Sequence, residues 1–181
     1  MKTLSLLTIG AVLAGCASAP PPSPASNDAA FLQETAQQAL LEIRLGELAQ
    51  RYAQLPDIRA YGRRMAEDRQ QELAALAPIA QDLKVALPVT LDAEQTDLFF
   101  QMSQIAGDPF HRQYMDRELW AKQGEIDALS REALGNGDPR LVAFAQQREA
   151  VVADNQQLGL DVELRNHLNL PIPHAGGGNS R

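Results

Sequence analysis

The residues best placed to do chemistry are three polar side chains that fall on otherwise apolar helical stripes. Arg69 lies four after Met65 and four before Leu73, and Lys122 lies three after Leu119 and four before Ile126. Asn155 lies three after Val152 and three before Leu158. Steps of three and four return a side chain to the same helix face, so each register points inward. An unpaired charge there costs on the order of several kcal/mol, so each group needs a partner or an exit. Partners within reach of such stripes are Glu42, Glu47, Asp68, Asp116 and Glu118. The plainer alternative is that Arg69 and Lys122 lie at a stripe edge, stems on apolar surface and heads in water. Three such coincidences on three helices favour an internal cluster of Arg69, Lys122 and Asn155 with Glu42, Glu47 and Asp68.

Reactive constellations are otherwise missing from the sequence. It contains no Gly-x-Ser-x-Gly elbow, Walker loop, dinucleotide glycine fingerprint, His-Glu-x-x-His pair or Cys-x-x-Cys. Its 3 histidines are His111, in the first turn of a long helix, His167, where the last helix fades, and His174 in the tail. Glu163 and His167 are one turn apart, and a terminal ion pair or a solvated residue describes them better than a ligand set. Tyr52, Tyr61, Tyr114 and Trp120 sit at or near helical stripes and read as core or boundary residues. No catalytic residue, metal ligand or cofactor is nominated.

Helices must position the polar cluster, and from Asp28 onward the periodicity is helical. The first helix runs from about Asp28 to Tyr52 on Leu41, Leu45, Leu48 and Tyr52. Pro56 opens the second, where a missing N–H costs nothing. Its stripe is Ile58, Tyr61, Met65, Leu73, Leu76 and Leu83, with Pro78 expected to kink it or end it early. A shorter helix is opened by Asp92-Ala93-Glu94-Gln95, a capping-box-like pattern, and ends at Gly107. Asp108-Pro109 and Asp138-Pro139 each place an N-cap acceptor before a first-turn proline. The long helix between them carries Met115, Leu119, Ile126, Leu129 and Ala133, and Gly135-Asn136-Gly137 stops it. The last carries Leu141, Phe144, Val151, Val152, Leu158 and Val162 and fades near His167. The fold expected is all-α: an up-and-down four-helix bundle with one extra short helix, over residues 28–168. Residues 169–181, rich in Pro and Gly, are expected to be a disordered tail.

Net charge is −7 for the chain. An acidic domain without basic clusters argues against nucleic acid and against docking on anionic lipid. The first residues suggest export. Lys2 supplies a positive start, and Leu4 to Leu13 is an apolar run too short for the roughly 20 residues that span a bilayer. The run ends in Leu13-Ala14-Gly15-Cys16, which resembles the lipobox of bacterial lipoprotein precursors. That resemblance implies a signal peptide over residues 1–15 and a lipid-modified Cys16 as mature N-terminus. The other reading is an ordinary signal cut near Ala17 or Ala19. Cys16 is the 1 cysteine of the chain, so no intramolecular disulfide can form. Two or three acyl chains anchor stably where one does not. Alanine rather than aspartate at position 17 implies delivery to the outer membrane in a Gram-negative host. Residues 16–27 then form a lipidated cysteine and proline-rich tether, reaching roughly 30 Å at about 3.1 Å per residue.

Several motifs together resemble a bacterial family of unknown function with a ferritin-like bundle, often labelled as outer membrane proteins. They are Phe31-Leu32-Gln33-Glu34, Leu45-Gly46-Glu47-Leu48-Ala49, Met65-Ala66-Glu67-Asp68, Leu87-Pro88, Phe110-x3-Tyr114-Met115 and Asp138-Pro139. The resemblance covers about residues 28–165. It implies histidines at the places that are Arg69, Lys122 and Asn155 here, and so a departure at the residues that would make the family a metal-site candidate. Arginine cannot ligate and a protonated lysine repels a cation, so no metal is expected there. The functional expectation is a membrane-anchored envelope lipoprotein with a non-enzymatic bundle, structural, stress-related or interacting with an envelope protein. The alternatives are a ferritin-like metal-binding or oxidoreductase protein and a small-ligand carrier.

Overall fold

The computed structural model describes residues 24–170. The expected signal peptide, Cys16, most of the expected tether and the residues from position 171 lie outside the described residues. Five helices and no strand form among those described: α1 (Pro24–Tyr52), α2 (Pro56–Leu83), α3 (Ala93–Ser103), α4 (Gly107–Ala133) and α5 (Pro139–Arg165). Residues 24–27, expected to belong to the tether, are the first turn of α1.

Local chemistry explains most helix boundaries. Pro56 occupies the first turn of α2, and Lys84 in the left-handed region closes it, with Val85 N–H bonding back to Ala80 O. Pro78 does not end α2. Both Pro78 and Ala74, whose carbonyl loses its helical donor, face water, which can satisfy that carbonyl. Asp92 and Asp138 accept the N–H groups of Gln95 and Arg140 as N-caps. Asp108, expected to do the same, does not: α4 begins at Gly107 after an uncapped Ala106, and the Asp108 carboxylate turns to His111 Nδ1, 3.4 Å away. The chain beyond α5 stays attached for a few residues, against the expectation of a tail from position 169. Leu168 is buried, its carbonyl accepts from Arg112, and Leu170 N–H donates to Glu163 at 3.1 Å.

Cross-helix pairs give the directions. Glu42 meets Arg69 and Lys122; Gln54 meets His111; Asp57 meets Arg165; Asp82 meets Arg140; Ser130 meets Glu149. Each long helix is therefore antiparallel to its two neighbours in the cyclic order α1, α2, α5, α4. Along the chain the order is up, down, down, up rather than strict alternation. The return is made by the segment containing α3, which runs alongside α1 through Gln33–Ala86, Gln37–Thr90 and a mutual Gln37–Gln95 pair.

Two apolar cores fill the bundle. One gathers Leu45, Ile58, Tyr61, Met65, Phe110, Tyr114 and Met115; the other gathers Leu32, Leu76, Leu129, Leu141 and Val152. Near the first, α1 and α2 touch backbone to backbone. A side chain on Gly46 would collide with the carbonyl oxygen of Gly62, and a Cβ on Gly62 would lie 2.5 Å from Ala49 Cβ. Gly62→Ala should therefore lower stability by about 1–3 kcal/mol through overpacking. Thermal melts against wild type would check this, and an unchanged midpoint would mean that the helices separate without cost.

A charged layer as candidate functional site

Between the two apolar cores, all four long helices contribute polar side chains to one connected layer. Arg69 is 2 % exposed and Lys122 is fully buried, so neither escapes to water. The Arg69 guanidinium meets Glu42 at 2.7 Å, Glu72 at 2.6 Å and Glu125 through both terminal nitrogens. Lys122 Nζ lies 2.7 Å from the same Glu42 oxygen, 3.5 Å from Glu118 and 4.0 Å from Glu125. Arg148 of α5 forks onto Asp68 and lies 3.3 Å from Glu72. Asn155 donates to Asp68 at 3.1 Å and accepts from Arg64 at 3.3 Å. The arrangement uses a planar guanidinium where several carboxylates converge and a compact ammonium where one carboxylate is shared.

Of the residues expected to cluster, Arg69, Lys122, Asn155, Glu42 and Asp68 meet in this layer. Glu47 does not: it points outward and pairs with Arg44 at 3.0 Å on the exposed face of α1. Register explains it, since Leu45, Leu48 and Ala49 take the inward positions of that turn. Glu118 also belongs to the layer, whereas no ion pair joins Asp116 to it. Glu72, Glu125 and Arg148 are further members. Glu72 lies three after Arg69 and Glu125 three after Lys122, a spacing that lets each carboxylate reach its own helix's cation. Arg148 lies four before Val152 and seven before Asn155, on the stripe Leu141, Ala145, Arg148, Val152, Asn155, Gly159, Val162. Tracing α5 through Phe144 and Val151 hides it.

The histidines have separate situations. His111, in the first turn of α4 as expected, is buried, and its Nε2 accepts the Gln54 N–H at 2.9 Å, closing the end of α1. His167 is exposed beyond α5, and Glu163 serves Leu170 rather than His167. His174 lies outside the described residues.

Titration in the layer is shaped by opposing effects. Burial alone would push Glu42 up, yet Arg69 and Lys122 hold it at about 2, below its usual 4.5. For Glu118, burial dominates and the Glu42 charge adds to it, outweighing Lys122, so its carboxyl rises to about 7. Burial likewise raises Glu72. Asp68 is lowered: its own burial is opposed and overcome by Arg148.

A metal would not fit among these donors. Arginine and protonated lysine have no lone pair to offer, and Lys122 Nζ stands within 4.0 Å of the carboxylates Glu42, Glu118 and Glu125 that a cation would use. Among the described residues no group of three or more His, Cys, Asp or Glu side chains could hold a metal ion. The layer's chemistry is ion pairing.

The structure thus defines an all-helical bundle bisected by a buried ionic layer. The chain belongs to a family described as a domain of unknown function (DUF4142), which matches residues 14–159. No curated protein and no solved structure matches it.

Two predictions follow from the layer's energetics. Lys122→Ala leaves Glu42 and Glu118 short of a buried cation and should cost about 3–5 kcal/mol, where the exposed Arg63→Ala costs little. Chemical denaturation would show it, and equal losses for the two variants would place Lys122 outside any energetic role. Glu118 binds its proton more tightly folded than unfolded, so it subtracts stability as pH rises from 4.5 to about 7. Glu42 acts oppositely, contributing above 4.5 and losing that contribution as pH falls toward about 2. Glu118→Gln should therefore match wild type near pH 4 and melt higher than wild type at pH 8. Parity at pH 8 would contradict the assignment.

Proposed function

We propose that the chain is an envelope lipoprotein held to the outer membrane, on its periplasmic side, by lipid on Cys16. Its ferritin-like bundle then serves as a non-enzymatic structural, stress-related or interaction module. The observation that carries this reading is the charged layer. The level of the bundle where a ferritin-like protein collects its ligands is spanned by Arg69, Lys122 and Arg148, each engaged with carboxylates of the same chain. The up, down, down, up order with a single long crossover is the topology expected of a ferritin-like bundle. The anchor rests on the Leu13-Ala14-Gly15-Cys16 tetrad and on Ala17. Among the described residues no helix is long and apolar enough to cross a membrane.

The competing reading, a ferritin-like metal or oxidoreductase protein, needs donors where this chain has cations. A carrier of small ligands would need a cavity away from the filled interior.

Intact mass and fragmentation of the mature N-terminus from a Gram-negative envelope would test the anchor. The expected species begins at Cys16 carrying diacylglycerol, and an unacylated start beyond position 16 would refute it. Stoichiometric iron, zinc or copper in the same preparation would overturn the metal-free reading independently.

A further inference from the structure

Two seams of the bundle are loose, α2 against α5 and, loosest, α1 against α4. α1 packs closely along α2 and α4 along α5, but α1 and α4 meet more loosely. A groove of about 880 Å³ opens between them. That is within the range of cavities that hold small molecules, roughly 300–1,000 Å³. The sequence of α4 keeps it open: Ala121, Gly124 and Ala128 line it, and a Cβ added at Gly124 would meet nothing within 4 Å. Trp120, one turn before Gly124, stands at its rim 52 % exposed rather than filling it.

The groove's charge selects what could occupy it. Its floor is made by Glu42 and Glu125, the outward side of the ionic layer. Its walls add Glu34, Asp92 and Asp116 against Arg117 and Arg131. Arg69 and Lys122 behind the floor pair with Glu42 and Glu125, so the negative excess that faces the groove is that of its walls, where Glu34, Asp92 and Asp116 outnumber Arg117 and Arg131. Asp116 Oδ1 is shielded from solvent and has no hydrogen-bond partner among the described residues. That oxygen is out of a ligand's reach, and the exposed remainder of the half-buried Asp116 side chain is what lines the groove. An indole face beside carboxylates is a favourable setting for an alkylammonium group, and the half-exposed Ala121 and Ala128 add apolar surface for its methylenes.

We propose that this groove binds a small linear organic cation, a di- or polyamine with ammonium groups separated by methylenes. The proposal does not depend on the lipid anchor. Glu34, Asp92 and Asp116 of the walls take the ammonium groups, and Trp120 covers the chain between them. Divalent metal ions lack the methylenes, and neutral chains lack the charge, so neither meets all of these features.

The test uses the purified full chain, with the buffer in which it is purified as blank. Trp120 is the 1 tryptophan of the protein, so its emission reports directly on the groove. Spermidine should shift that emission saturably and give calorimetric binding below about 1 mM. Asp116→Asn should weaken binding about five-fold, the equivalent of one partly exposed charge contact. Gly124→Leu should abolish it while leaving the melting temperature no lower, since the added side chain enters open space and improves helix propensity. Glu67→Gln, exposed and away from the groove, should bind as wild type does. Absence of saturation would overturn the proposal. So would equal binding of Mg²⁺ at matched ionic strength, equal binding of 1,8-octanediol, or unchanged binding by a folded Gly124→Leu variant.

Discussion

Arg69 cannot shed its charge at any physiological pH, and the bundle buries it. From that constraint much of the layer follows. A guanidinium removed from water must have its N–H groups met, and here Glu42, Glu72 and Glu125 meet them from three helices. Those carboxylates bring a negative excess of their own, and Lys122 from α4 and Arg148 from α5 answer it. Removing either Arg69 or Lys122 alone leaves buried carboxylates without their nearest cation. Such a layer adds little net stability compared with well-packed apolar residues of the same volume. What it does supply is register. Sliding any one helix by a turn would part charges in a dry interior, whereas the apolar cores on either side tolerate substitutions of similar size.

The same layer shapes the surface above it. Glu42 and Glu125 face the inside with some oxygens and the α1/α4 groove with the rest of their surface, so the interior ion pairs and the groove share a wall. Between α1 and α2 the bundle is closed by contacts that admit no side chain, as at Gly46 and Gly62. Close packing of α1 on α2 and of α4 on α5, with a loose α1/α4 seam, divides the molecule into two helical hairpins. These hairpins meet through charge as well as through apolar contact.

Legibility varied by residue for physical reasons. The stripes place Arg69, Lys122 and Asn155 inward because three and four spacing on a helix leaves few other positions for them. Glu42 and Asp68 flank those stripes and could be named as partners. Glu47 was misplaced because a glutamate one turn from a stripe can swing inward or outward, and inward space there is already taken by Leu45 and Leu48. Glu72 and Glu125 look like ordinary surface acids three residues after a basic one. Arg148 was hidden because its stripe runs through Ala145 and Gly159, whose small side chains give little hydrophobic signal.

By itself the sequence determined the helical class, the starts of α2, α3 and α5, and the oddity of charges on apolar faces. These depend on neighbours within one or two turns, where proline, cap residues and periodicity act directly. Its sole cysteine in a lipobox-like setting was equally a local matter. Tertiary structure alone decided the up, down, down, up order, because the path of the 84–106 segment depends on where α1 offers Gln33 and Gln37 to receive it. It also decided which carboxylate serves which cation. Such pairing joins residues dozens of positions apart, and no periodicity within one helix records the rotation of another.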